Sequence, residues 1–193
     1  MRKIYLAAVL LGTTLAATFA VPAQAASVAT AYTTSDKWGQ IVVYRAGSGK
    51  ANRVVISRGP THYVTIDDKF PIKPGSGCRA VKGDKTKVNC GVGEMTERVR
   101  VFAADRDDSV TNKTRLQLIA YGGSGNDTIR GATAGDVVYG ESGADTLYGN
   151  GGPDKLYGGS GSDTLYGGSG NDHLIGGPGK DKIRGGSGAD RIA

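Results

Sequence analysis

The chain has little of what most catalytic and cofactor chemistry uses. Its 193 residues include two histidines, two cysteines, two methionines and one tryptophan. His62 and His173 stand apart, with no HExxH pair and no metal-ligating companion at useful spacing. Gly-Gly-Ser-Gly recurs but is followed by Asn, Ser or Ala, so no Gly-x-Ser-x-Gly nucleophile turn is present. The many Gly-x-Gly stretches lack the strand-then-helix context of a nucleotide site. A carboxylate pair such as Asp67 and Asp68 is badly placed for joint acid–base work, because neighbours on a strand face opposite ways. No enzyme is expected. Beyond residue 25 no apolar stretch is long enough to span a membrane.

What hydrophobic length there is lies at the start. Residues 1–25 read as a secretory signal peptide: Arg2 and Lys3, an apolar stretch over residues 4–21, then Ala23-Gln24-Ala25 as a small-residue cleavage site. The mature protein is therefore expected to be secreted. In an oxidising compartment Cys78 and Cys90 are expected to pair, with Lys82-Gly83-Asp84-Lys85 as the hairpin turn between them, a clip worth ~2–3 kcal/mol. Two thiols alone do not make a metal site.

Residues 26–121 form a leader of a different kind. Runs at residues 41–44, 54–57, 63–66, 99–102 and 116–119 carry β-branched or alternating apolar residues and predict strands. Pro60, Pro71 and Pro74 punctuate them, and no helical period appears. The leader holds sixteen Lys and Arg against nine Asp and Glu, whereas residues 122–193 hold six against nine. Its basic residues are spaced singly, as on a solvated face, so no nucleic-acid partner is expected.

Glycine and aspartate dominate the rest. Residues 122–193 are eight consecutive nine-residue repeats without insertion: GGSGNDTIR, GATAGDVVY, GESGADTLY, GNGGPDKLY, GGSGSDTLY, GGSGNDHLI, GGPGKDKIR and GGSGADRIA. Gly opens each, Asp holds position six and an aliphatic residue holds position eight. One apolar residue in nine is too sparse for an amphipathic helix. It suits a three-residue strand whose middle side chain points inward, preceded by a glycine turn that needs positive φ. Two repeats then make one coil, and repeats i and i+2 stack. Asp127, Asp145, Asp163 and Asp181 fall in one column; Asp136, Asp154, Asp172 and Asp190 fall in the other. At a strand spacing of ~4.8 Å each adjacent pair repels by roughly 1 kcal/mol even in water. Carboxylates beside exposed turn carbonyls suit a hard cation with flexible oxygen coordination, which is calcium rather than magnesium.

These repeats resemble the GGxGxDxUx nonapeptides of the RTX family. The resemblance implies an all-β fold, a right-handed parallel β-roll (a β-solenoid) of eight nonapeptide repeats, following the β-rich leader. It implies Ca2+ between stacked turns, held by Asp side chains and backbone carbonyls, up to about six ions. Repeat two, where Ala132 and Ala134 replace glycines, is the weakest match, and residues 103–111 lie over the repeat as a glycine-free rung leading into the roll, with Asp108 at position six as a candidate additional ligand. The layout of leader and repeats also resembles small secreted calcium-binding proteins of actinobacteria. Two partner readings stand beside calcium: a cell-wall or carbohydrate surface touched by the outward Tyr139, Tyr148, Tyr157 and Tyr166, and end-to-end self-association through the last coil.

Overall fold

A computed structural model of the chain describes residues 28–37, 39–60, 62–93 and 96–193. The expected signal peptide lies outside them. Among the described residues there are strands and no helix. The leader contributes β1 (Ala29–Asp36), β2 (Gly39–Arg45), β3 (Arg53–Arg58), β4 (Tyr63–Asp67), β5 (Ile72–Pro74), β6 (Cys78–Val81), β7 (Asp84–Gly91), β8 (Thr96–Phe102) and β9 (Ser109–Asn112). The chain continues through β10 (Gln117–Ser124), β11 (Thr128–Arg130), β12 (Val137–Ser142), β13 (Thr146–Gly151), β14 (Lys155–Ser160), β15 (Thr164–Ser169), β16 (His173–Ile175), β17 (Lys182–Ser187) and β18 (Arg191–Ile192).

The strands form two nine-stranded sheets, ordered β18-β16-β14-β12-β10-β8-β2-β1-β5 and β17-β15-β13-β11-β9-β3-β4-β7-β6. Alternation of even and odd strands between the sheets is the mark of a coil with one strand on each side. From β2 and β3 onward every pairing between rungs is parallel. Within the repeats the register is eighteen residues, as Leu147↔Leu165 and Leu156↔Leu174 show. The fold is a parallel β-roll, as the resemblance of the repeats implies.

The two sheets pass from leader to repeats without interruption, and β10 spans the change in composition. The leader supplies two rungs of the solenoid, β2 with β3 and β8 with β9. Its remaining strands, antiparallel to β2 and β3 at their first contacts, cover the starting end of the coil. That covering matters, since an open parallel edge invites pairing with other chains. Cys78 and Cys90 face each other across the β6–β7 hairpin and form a disulfide.

Inward side chains from both sheets make one thin core. Val54, Val110, Ile129, Leu147 and Leu165 follow one another on one side, and Leu118 is buried opposite them with Val138, Leu156 and Leu174. Position eight is fully buried in six repeats, partly buried at Ile183, and 55% exposed at Ile192 in β18, the edge strand of its sheet.

Two local expectations are corrected. Most repeat strands are six residues long rather than three, because they run on through the first three residues of the next repeat. Positive φ is needed only at positions two and four, for example Gly159 at 107° and Gly161 at 140°. Position one is extended backbone, and glycine stands there for a different reason, given below.

Candidate metal centre

The stacking brings all eight repeat aspartates into the two expected columns. In the first, the backbone N–H of Asp127 donates to Asp145 Oδ1 at 2.8 Å, Asp145 to Asp163 at 2.8 Å, and Asp163 to Asp181 at 2.9 Å. In the second, Asp136 donates to Asp154 at 2.7 Å, Asp154 to Asp172 at 2.9 Å, and Asp172 to Asp190 at 3.0 Å. Each carboxylate thus reaches back one rung and ties two turns together. Asp127, Asp136, Asp145, Asp154, Asp163 and Asp172 are at most 1% exposed, while Asp181 and Asp190 in the last coil are half-buried.

The second carboxylate oxygen is where the arrangement is incomplete. Oδ2 of Asp127, Asp145, Asp154, Asp163 and Asp172 is buried and has no hydrogen-bond donor. It lies against the first glycine of its own repeat and the first-glycine carbonyl of the next rung. An ideal Cβ on Gly122 would approach Asp127 Oδ2 and come within 2.7 Å of Gly140 O. The same holds along the array, and this close approach is why position one excludes any side chain.

Burial without a donor disfavours the charged form. Desolvation pushes Asp127, Asp136 and Asp145 up to about 6 and Asp154 up to about 7, partly opposed by the N–H bond to Oδ1 and reinforced at Asp145 and Asp154 by neighbouring column carboxylates. Desolvation also raises Asp163 and Asp172. Among the described residues no three His, Cys, Asp or Glu side chains converge as a metal cluster. A cation in the columns would therefore need backbone carbonyls as well as carboxylates. The orphaned oxygens and the adjacent glycine carbonyls form an all-oxygen donor set, which fits a hard divalent ion.

Repeat two departs as its sequence suggests. It has no residue at positive φ, and Ala132 N–H donates to Asp136 Oδ2 at 2.7 Å, so this carboxylate alone among the buried six is satisfied on both oxygens. The histidines are uninvolved: His173 packs edge-on to Tyr157, and His62 lies on the rim of a cleft with Arg58 and Tyr63. Asp67 and Asp68 part company. Asp67 pairs with Lys87 at 3.3 Å, and Asp68 is buried, accepting from Tyr44 Oη at 2.6 Å. The outward tyrosines stack as expected, 139 on 157 and 148 on 166, and the first stack continues through Tyr121 to Phe102. Because the rings lie face to face within 10°, their faces are taken up by one another and brace the sheets. Sequence reasoning missed Asn52, which is buried against Asp108; a single Asn in a β-rich leader carries no periodic signal.

The family model of the RTX calcium-binding nonapeptide repeat, four copies, matches residues 121–156 and again residues 157–192. Neither a curated protein nor a solved structure matches the chain. The matched segments contain every stacked Asp of both repeat columns, so residues 121–192 of this chain are an RTX calcium-binding nonapeptide repeat array built as a parallel β-roll.

Proposed function

We propose that this is a secreted, non-enzymatic protein whose repeats complete their folding by binding extracellular calcium. The carrying observation is the row of buried carboxylate oxygens that lack a donor. An unpaired buried charge is costly, and a shared divalent cation relieves that cost on two rungs at once. The ligands would be Asp127 with Asp145, Asp145 with Asp163 and Asp163 with Asp181. In the other column they would be Asp136 with Asp154, Asp154 with Asp172 and Asp172 with Asp190. Turn carbonyls complete each oxygen set, for up to about six ions.

Calcium supplies positive charge inside each column, which makes its binding free energy part of the folding free energy. Where calcium is scarce, repulsion between aspartates opposes stacking and keeps the repeats disordered for export. Where it is plentiful, neutralisation lets successive rungs close on one another, as in other solenoids with nearest-neighbour coupling. The leader, already clipped by its disulfide and carrying two rungs, is the template on which the repeats close. The separate engagement of Asp67 and Asp68 supports a leader that serves as a template without an acid–base pair.

Far-UV circular dichroism of the full chain at neutral pH, in EDTA and then through a calcium titration, tests the reading. Strand signal should rise cooperatively with a midpoint on the order of 10⁻⁴–10⁻³ M, the range of extracellular calcium modules. Identical spectra and melting curves in EDTA and calcium would overturn it.

A further inference from the structure

We propose that Asp108 and Asn52 form an additional divalent-cation site in the leader, one rung before the matched repeats; the inference rests on the calcium reading above. Residues 103–111 contain no glycine, yet they fold as a repeat. Ala104 at φ 87° and Arg106 at φ 72° take the left-handed conformations that Gly123 (104°) and Gly125 (126°) take in the next rung. The register Ser109↔Thr128 and Val110↔Ile129 sets Asp108 in line with Asp127. One rung earlier, Arg53↔Ser109 and Val54↔Val110 set Asn52 in line with Asp108. Column one therefore extends two rungs into a part of the chain that the repeat family does not cover.

The hydrogen bonding follows the column and then stops. Asp108 N–H donates to Asp127 Oδ1 at 2.8 Å, as each repeat Asp does to the next. Asp108 Oδ1 accepts from Asn52 N–H at 2.5 Å and from Asn52 Nδ2 at 3.1 Å. Asn52 Nδ2 also donates to Lys50 O at 2.9 Å. Both side chains are 3% exposed, and each retains one oxygen with no donor, Asp108 Oδ2 and Asn52 Oδ1. The nearby Asp68 cannot relieve them, because a carboxylate only accepts, and it already accepts from Tyr44 Oη and from the N–H groups of Arg53 and Lys69.

The leader end of column two is different. There Leu118 N–H donates to Asp136 Oδ1 at 2.7 Å, and Ala132 N–H satisfies Oδ2. Protein donors complete one column, whereas the other ends on a buried carboxylate oxygen and a buried amide oxygen. Both are calcium donors, and Asn52 contributes its oxygen without adding a further negative charge. The cation would sit in line with those of column one and join the leader rungs to the array.

The test uses the full chain. Bound calcium is counted by equilibrium dialysis with metal analysis, and melting midpoints are measured in EDTA and in saturating calcium, for wild type, Asp108→Asn and Asn52→Asp. Asp108→Asn keeps the shape and an acceptor for Asn52 N–H, and should bind one ion fewer per chain. Asn52→Asp adds a ligand charge, so it should lower the midpoint in EDTA yet tighten calcium binding roughly threefold or more. An unchanged ion count in Asp108→Asn, or an Asn52→Asp loss that is equal with and without calcium, overturns the site. A wild type that binds no calcium overturns the reading of the repeats as well, whereas normal wild-type binding with an unaffected Asp108→Asn overturns only this inference.

Discussion

Alanine at Gly158 asks whether the first glycine of each repeat is there for space. Gly158 is in extended backbone within β14, and its ideal Cβ would lie 2.6 Å from Gly176 O and closer still to Asp163 Oδ2. Neither neighbour is a flexible chain end. One is the backbone of the next rung; the other is a buried carboxylate anchored through Oδ1 to Asp145 N–H at 2.8 Å. Either the rungs part or Oδ2 turns away. Overpacking of this kind costs about 1–3 kcal/mol, which in a chain of this size lowers the melting midpoint by roughly 4–8 °C at the middle of that range. A displaced Oδ2 also removes an oxygen from the Asp163 sites, so the calcium count should fall by at least one. Gly83→Ala is the reference. Gly83 has φ 82° and no atom within 4 Å of an added Cβ, so it should cost only the ~1 kcal/mol of left-handed strain and leave calcium binding intact. Calorimetry and dialysis on both variants settle the matter. If Gly158→Ala matches Gly83→Ala in midpoint and in ion count, the close-approach argument is wrong.

Calcium-free stability should fall as pH rises. Burial, opposed by their hydrogen bonds and, except at Asp136, reinforced by neighbouring carboxylates, holds Asp127, Asp136 and Asp145 at about 6 and Asp108 and Asp154 at about 7, above the 3.8 of a free Asp. The charges that face them are Asp68, Asp107, Glu141 and the other column carboxylates. The folded state therefore binds more protons than the unfolded one between about pH 4 and 7, so stability present below pH 4 is lost through that window. Urea melts in EDTA at pH 4.5 and 7.5 should differ strongly, and calcium should remove most of the difference; equal midpoints in EDTA would refute the assignment. In the core, Leu156→Ala removes a fully buried side chain and should cost about 2–5 kcal/mol. Ile192→Ala, 55% exposed, should stay within about 0.5 kcal/mol. Denaturant titration in calcium distinguishes them, and similar losses at both positions would mean that the last coil packs as tightly as the middle.

The repeat array was legible because its information is periodic. An Asp every nine residues, on a coil of two repeats per turn, can only form columns, and the aliphatic position eight can only face the space between two sheets. The five apolar runs of the leader likewise fall in or against strands β2, β3, β4, β8 and β10. Strands β1 and β5 were not legible. β1 is threonine-rich with a weak apolar face, and β5 is three residues at a sheet edge; both are strands because β2 and β1 offer them a ladder.

Sequence alone therefore determined the all-β class, the eighteen-residue stacking register, the membership of both Asp columns, the Cys78 to Cys90 pairing and the weakness of repeat two. Each follows from spacing or residue chemistry that holds wherever the chain sits. Only the tertiary structure decided that leader and repeats share two continuous sheets, that position-one glycines make room for a carboxylate, and that Asp136 is satisfied by protein while Asp108 is not. Those outcomes depend on which groups meet across rungs that are far apart in sequence. A glycine-free turn can imitate a glycine turn when the rungs on either side hold it there, and no local pattern records that.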